Sequence, residues 1–224
     1  MSNCLTIYLN SGLGERERLF CLRIAEQTGR HTHALTKIPE NLSEFCDENN
    51  IDIVFYACDN RRRQIQRVLD ASRELRIPYV VITDSMDRLA IPIQHVLAPV
   101  SFLEEDIHKT ETCLHYGRII GAEIVLLQAK DYGHKALHHT ERIATALEKA
   151  ELRYRIETAT KDSFGVNMEA AKKSAETDLL IVTASREYGL DDILFGPQER
   201  HVIQKSRVPV LLLNPRGDLY SLCD

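Results

Sequence analysis

A short turn before a helical pattern is the first feature of this sequence with the means to hold a negatively charged ligand. In "LFGPQERHVIQKSRVPVLLLN", residues 194–214, Gly196 and Pro197 directly precede a predicted amphipathic helix, which a buried strand follows. The first backbone N–H groups of a helix have no partner within it, and the helix dipole is positive there. The segment therefore has the outline of a phosphate cradle.

A run of three arginines offers a second place for an anion. Arg61, Arg62 and Arg63 open a predicted helix that follows a buried strand. Guanidinium groups bind phosphate and carboxylate through paired hydrogen bonds, so the run suits a small anionic metabolite or an acidic partner protein. Charge runs are more often a solvated helix face with salt bridges, and that alternative stays open.

Two further patterns are weaker candidates. In "NSGLGERER", residues 10–18, Gly12 and Gly14 have the spacing of a phosphate loop, but the glutamates that follow would repel phosphate and suit an ordinary turn and helix start, which we favour. His134 and His138 lie one helical turn apart, a spacing that can chelate a metal. No third ligand is evident, so no metal site is predicted.

The sequence predicts no catalytic residue. It has no GxSxG nucleophile elbow, no P-loop and no cluster of zinc ligands. Ser185 follows a predicted strand without flanking glycines, and Asp191 and Asp192 are adjacent, so on a helix they diverge. The pattern favours a binding protein over an enzyme.

Composition limits the expected partners and compartment. The 224 residues carry a formal net charge of −5 without a long basic tract, which disfavours nucleic acid. No cationic leader and no apolar run of membrane-spanning length is seen, so no membrane partner is expected. Six scattered cysteines without a CxxC pair predict reduced thiols in a cytoplasmic protein, with Cys223 the most exposed.

Predicted strands and helices alternate almost from end to end. Near-continuous apolar strands separated by amphipathic helices indicate an α/β protein with doubly wound parallel sheets covered on both faces. The predicted strands are residues 4–10, 31–37, 51–58, 77–83, 94–100, 122–129, 153–160, 178–184 and 208–214. The predicted helices are residues 15–29, 41–50, 63–76, 104–121, 134–151 and 164–177, with one more between the last two strands.

The two halves of the chain resemble each other. "NIDIVFYACD" matches "ETDLLIVTAS", and "RELRIPYVVITD" matches "QKSRVPVLLLNP" in its order of arginine, β-branched residue, proline and strand. We interpret the halves as two copies of one α/β unit, the first lacking one strand–helix step. This predicts an N-terminal repeat over residues 1–84, a linker over residues 85–93 and a C-terminal domain over residues 94–217.

The second half resembles a universal stress protein domain over roughly residues 94–215. "HVLAPVSFLEED" is similar to that family's first strand and loop, and "DLLIVTASREYGLDDILFGPQERHVIQKSRVPVLLLNP" is similar to its final strand, loop, helix and strand. The first half fits a shortened, diverged copy, so the chain is similar to tandem universal stress proteins.

The resemblance implies an adenine nucleotide alpha hydrolase-like sheet with a ligand cleft at the carboxyl ends of its strands. Family members often dimerise through the last, edge strand. Two copies in one chain would then form an intramolecular pseudo-dimer, with residues 77–83 against residues 208–214, which hides two apolar edges. A further homodimer stays open.

Nucleotide-binding members of the family carry a glycine motif that this chain matches at one position of four. The motif is Gly, two residues, Gly, nine residues, Gly, then Ser or Thr. With the third glycine on Gly196, the others fall on Thr183, Arg186 and Pro197, and the family's aspartate after the first strand falls on Ser101. A Cβ blocks the approach of phosphate, and proline supplies neither N–H nor hydroxyl.

The resemblance therefore implies a degenerate nucleotide site. Losing two or three charge-assisted bonds of roughly 1.5–3 kcal/mol each weakens binding about a hundred-fold to ten-thousand-fold or more. No cofactor is expected, although ATP or AMP fits the family and the Arg186 guanidinium offsets part of the loss. The predicted cleft is lined by Pro99, Val100, Ser101, Thr183, Ala184, Arg186, Gly196 and Gln198.

The function implied is that of a binding or regulatory protein in the stress response. An ATP/AMP-binding switch or slow ATP hydrolase using the same cleft is one alternative, and a protein-interaction scaffold is another. The sequence identifies no particular protein partner or anionic metabolite.

Overall fold

A nine-stranded sheet with helices between its strands is the architecture of the computed structural model, which describes residues 3–9, 15–130, 134–184 and 197–215. The strands are β1 (Asn3–Tyr8), β2 (His31–Leu35), β3 (Ile51–Cys58), β4 (Tyr79–Thr83), β5 (His95–Val100), β6 (Glu123–Gln128), β7 (Tyr154–Thr158), β8 (Leu179–Thr183) and β9 (Val210–Leu213). The α-helices are α1 (Glu15–Gln27), α2 (Leu42–Glu48), α3 (Arg62–Ser72), α4 (Lys109–Ile120), α5 (Lys135–Lys149), α6 (Val166–Lys173) and α7 (Gln198–Lys205).

The sheet is parallel at every junction but one. Its strand order is β2-β1-β3-β4-β9-β8-β5-β6-β7, and only β4 and β9 run antiparallel. Strand β4, next to the centre of the sheet, is buried at all five residues, whereas the outermost strands β2 and β7 are partly exposed. The predicted α/β fold with a mostly parallel sheet is confirmed.

The antiparallel junction joins the two halves of the chain. Tyr79 faces Leu212, and Val80 faces Leu211, so residues of the first half pair directly with residues of the second. The residues between β4 and β5 are packed on the sheet, with Met86 and Ile93 buried. In the same segment, Nε of Arg88 lies 3.0 Å from a carboxylate oxygen of Asp178.

Helix ends follow local signals except where tertiary contacts override them. Gly29, with a φ of 66°, lies just beyond α1 as a left-handed stop. The helix predicted over residues 104–121 is instead a 3₁₀ segment (Glu104–His108) followed by α4. The tighter turn brings Asp106 back to the end of β5, which helical periodicity alone does not reveal.

None of the described helices is both long and apolar enough to span a membrane.

Candidate functional site

The carboxyl ends of β5 and β8 bring most of the predicted cleft residues together. Pro99 and Val100 end β5, Thr183 ends β8, and the two strands are neighbours in the sheet. Ser101 and Ala184 follow directly after them. Of the remaining predicted residues, Gln198 begins α7, whereas Arg186 and Gly196 lie outside the described residues.

Asp106 occupies this cleft and takes up its hydrogen-bond donors. One carboxylate oxygen accepts the backbone N–H of Ser101 at 2.6 Å, and the other accepts the Thr183 hydroxyl at 2.8 Å. The aspartate is only 3% exposed. Two groups that would otherwise be available to a ligand are therefore already bonded within the chain.

Lys109 completes the arrangement from the first turn of α4. Its ammonium lies 2.7 Å from Asp106 Oδ1 and also donates to the carbonyl of Pro99. The lysine has no exposed surface, so the ion pair is fully enclosed. Burial by itself would raise the pKa of Asp106, but the ammonium of Lys109 and the hydrogen bonds from Ser101 lower that pKa below its usual value.

A buried histidine supports the loop after β5. His139 Nδ1 lies 3.1 Å from the carbonyl oxygen of Ser101, and its Nε2 lies 3.5 Å from a carboxylate oxygen of Glu104. The Ser163 hydroxyl accepts the backbone N–H of Phe102 at 3.0 Å. These contacts tie the loop after β5 to α5 and to Ser163.

The side chain of Gln198 forms hydrogen bonds with Asn167 of α6 and with Phe164, which precedes that helix. Its amide donates to the carbonyl of Phe164 at 2.6 Å, and its carbonyl lies 3.3 Å from the amide nitrogen of Asn167. The Phe164 ring stacks edge-on against Phe102 with centroids 5.5 Å apart, although Phe164 is 75% exposed. The helix start predicted to cradle phosphate thus has a side chain bound to its neighbours.

The three predicted arginines lie beside a groove, together with two arginines that the sequence reasoning missed. Arg61 immediately precedes α3, and Arg62 and Arg63 lie in its first turn. The groove has a volume of about 1350 Å³. We call its five arginines the arginine cluster: Arg61, Arg62, Arg63, Arg67 and Arg200.

Other predicted features fall into two groups. Gly12, Gly14, Ser185, Asp191, Asp192 and Cys223 lie outside the described residues. Within the described ranges, five cysteines are buried with free thiols, and no group of three or more His, Cys, Asp or Glu side chains is placed to hold a metal ion. His134 precedes α5 and His138 lies in its first turns, but the histidine that reaches the cleft is His139.

Solved structures with this fold include universal stress proteins. One is a universal stress protein from Archaeoglobus fulgidus DSM 4304. The aligned region covers 96% of this chain and 87% of that protein, with 12% sequence identity and a TM-score of 0.60. A functionally unknown protein from Pseudomonas aeruginosa PAO1 has a similar structure. The aligned region covers 98% of this chain and 84% of that protein, with 12% sequence identity and a TM-score of 0.51. The resemblance in fold to universal stress proteins is therefore confirmed.

The comparisons go no further than the fold. A universal stress protein in complex with cAMP covers 55% of this chain at 13% identity, and its TM-score of 0.44 is too low for that ligand to be transferred. No protein-family model and no curated protein matches the sequence.

Proposed function

We propose that this chain is a universal-stress-protein-like binding protein of the stress response that does not bind nucleotide in its C-terminal cleft. The observation that carries this proposal is the enclosed Asp106–Lys109 pair. The pair lies at the carboxyl ends of the parallel strands, which is where open α/β sheets bind their ligands. Asp106 accepts the hydrogen bonds of the Ser101 N–H and the Thr183 hydroxyl, two donors that a ligand in the cleft would need. We infer that the protein acts in the cytoplasm by recognition and not by catalysis.

The pair opposes a phosphate ligand because it already occupies the donors that phosphate would use. A phosphate near Ser101 and Thr183 would have to displace the Asp106 carboxylate from their N–H and hydroxyl groups. Freeing the two donors would leave that carboxylate buried with fewer hydrogen bonds, and an incompletely satisfied buried charge costs several kcal/mol. Binding at this place would have to overcome that cost before gaining anything.

We also propose that the molecule is a tandem pseudo-dimer, and the strand order supports it. Strand β1 lies between β2 and β3, as β5 lies between β6 and β8, and β4 follows β3 as β9 follows β8. The second half has one additional strand, β7, which matches the step missing from the first half. The antiparallel β4–β9 pair lies where two such units would meet.

Calorimetric titration with magnesium-ATP and with AMP tests the proposed empty cleft. We expect no binding to the cleft at millimolar nucleotide. AMP tests the cleft more selectively than ATP does. It carries the whole nucleoside but only one phosphate, so it binds the arginine cluster less readily. Micromolar AMP binding that Thr183→Val or Arg186→Ala abolishes would instead support the nucleotide-switch alternative.

The arginine cluster needs a control in the same experiment, because ATP carries three phosphates. The ATP titration is therefore repeated with the triple variant Arg62→Gln/Arg63→Gln/Arg67→Gln. If the heat of ATP binding disappears in this variant, ATP binds at the groove lined by the arginine cluster. That result leaves the proposal for the cleft unchanged. Heat that persists in the triple variant and is lost in Thr183→Val contradicts the proposal.

A further inference from the structure

We propose that the groove between α3 and α7 binds a small ligand carrying several linked phosphates, held by the arginine cluster. The site is separate from the C-terminal cleft and does not depend on the function proposed for that cleft. Its chemistry is multivalent recognition of negative charge by guanidinium groups, which donate paired hydrogen bonds to phosphate oxygens.

The groove is concave and large enough for such a ligand. Its volume of about 1350 Å³ exceeds the roughly 300–1,000 Å³ typical of small-molecule sites. The first turns of α3 form one wall, and Pro197 and Arg200 of the α7 segment form the other. A ligand seated there would lie between two helices and be bound by the exposed arginines of α3, because Arg200 is buried.

Among the described residues, acidic side chains do not balance the charge of the groove. Arg62, Arg63 and Arg67 are exposed and form no ion pair within the described part of the chain. Arg61 lies 3.8 Å from Asp59, so it is only loosely paired. Asp70, the acidic residue that lines the groove in the described part of the chain, accepts a hydrogen bond from Gln66 at 2.9 Å.

The spacing of the arginines favours closely spaced anions on one ligand. Arg63 and Arg67 are four residues apart, which places them on one face of α3 with Cβ atoms about 5–6 Å from each other. Arg62 also lines the groove, although its side chain leaves the helix in a different direction from that of Arg63. Linked phosphates carry their charges at similarly short intervals, whereas the carboxylates of a folded acidic protein would have to enter a concave groove.

The stability of α3 gives no reason for these arginines. The N-terminal end of a helix is positive, so cations there are unfavourable and acidic residues are favoured. α3 has no acidic residue in its first turn, and Arg61 makes no side-chain cap. By contrast, five of the other six described α-helices have glutamate in the first turn, and α5 is the exception.

The walls of the groove are fixed before a ligand arrives. Arg200 Nη1 donates to Gln66 Oε1 at 3.2 Å, which ties α7 to α3 beneath the exposed arginines. Asn60 donates through its side-chain amide to the carbonyl of Gln204 at 3.3 Å. Little ordering of the backbone is then required on binding, which preserves affinity.

Titration calorimetry with inorganic tripolyphosphate at low ionic strength tests the site, with orthophosphate as the comparison. We expect tripolyphosphate to bind at least ten-fold more tightly than orthophosphate and to weaken as salt is added. The variant Arg62→Gln/Arg63→Gln/Arg67→Gln should lose about a hundred-fold or more in affinity, because three charge-assisted contacts are removed. Its urea midpoint should not fall, so the loss is not one of folding.

Arg76→Gln is the matched control, since Arg76 is exposed beyond the end of α3 and does not line the groove. It should bind tripolyphosphate as the unmodified chain does. The proposal is overturned if tripolyphosphate does not bind, if the triple variant binds it unchanged, or if Arg76→Gln weakens binding as much as the triple variant. Nucleotide binding in the C-terminal cleft would contradict the function proposed for that cleft, but it would not contradict phosphate binding in the groove.

Discussion

At the scale of single residues, Lys109 is the sharpest test of the buried ion pair. Lys109→Met keeps the length of the side chain but removes the ammonium, so the carboxylate of Asp106 stays enclosed without its cation. Breaking a buried pair on one side costs about 3–5 kcal/mol. We expect urea unfolding to show a loss of that size. Lys172→Met, exposed on α6, should change stability by about 0.5 kcal/mol or less, and an equal loss in both variants would contradict the argument.

The same pair predicts how stability depends on pH. Because the pKa of Asp106 is lowered in the folded state, its contribution is complete above the unfolded value of about 3.9 and is lost as the pH falls through the folded pKa. Asp106→Asn cannot lose or bind this proton. We expect its stability, measured by urea unfolding at several pH values, to fall less steeply below about pH 4 than that of the unmodified chain. Parallel slopes would show that Asp106 is not the group responsible.

The arginines at the start of α3 should raise stability when their charge is reversed. Arg62→Glu/Arg63→Glu replaces cations at the positive end of the helix with anions, which is worth about 0.3–1 kcal/mol for each residue. We expect the free energy of unfolding to rise while tripolyphosphate binding is lost. Arg76→Glu, beyond the other end of the helix, should bring no gain. A fall in stability for the double variant would show that these arginines stabilise the fold.

Some residues of the two sites could be predicted from the sequence, and others could not. Arg67 follows Arg63 by four positions, so helical spacing was sufficient to add it to the predicted arginines. Asp106 and Lys109 carry opposite charges three positions apart in "EEDIHK", which indicates a pair but not that it is buried. Their enclosure at the end of β5, and the approach of Arg200 to Gln66, depend on how distant segments pack.

At the scale of elements, the end of α3 depends on a residue that follows β9. The side-chain amide of Asn214 donates to the carbonyls of Ser72 at 2.6 Å and Leu75 at 2.9 Å. Asn214→Ala leaves both carbonyls without that donor, and each lost hydrogen bond is worth about 0.5–1.5 kcal/mol. We expect a loss of roughly 1–3 kcal/mol in urea unfolding. Asn214→Asp should lose at least as much, because it sets a negative charge against carbonyl oxygens, and a neutral result for either variant would contradict this cap.

Element type was easier to predict than element length. The strand predicted over residues 51–58 is observed at the same residues, since its apolar run is unbroken. The helix predicted over residues 63–76 is observed from Arg62 to Ser72, and Asn214 donates to the carbonyls of Ser72 and Leu75 where it ends. The split at Lys109 likewise accompanies a side-chain hydrogen bond, since Asp106 bonds to Ser101 instead of continuing an α-helix.

At the scale of the whole molecule, the β4–β9 junction is what the tandem interpretation rests on. Both strands are apolar, and Val80, Val81, Val210 and Leu211 are all buried where the halves meet. Two salt bridges also tie the segment between β4 and β5 to the second half, joining Arg88 to Asp178 and Arg207 to Asp87. An isolated half would expose an unpaired apolar edge, which is a template for pairing with another chain.

The C-terminal half alone should therefore dimerise. A fragment of residues 94–217 exposes the edge of β9 that β4 covers in the intact chain, and pairing of two β9 strands would bury it again. We expect light scattering after size exclusion to give twice the fragment mass at micromolar concentration, with fragment dimers dissociating on dilution. Replacing Leu211 with lysine in the fragment should give monomer or unfolded chain, because a charge would then lie in the new interface. A fragment that is folded and monomeric with its native Leu211 would remove the physical basis for treating the molecule as an internal pseudo-dimer.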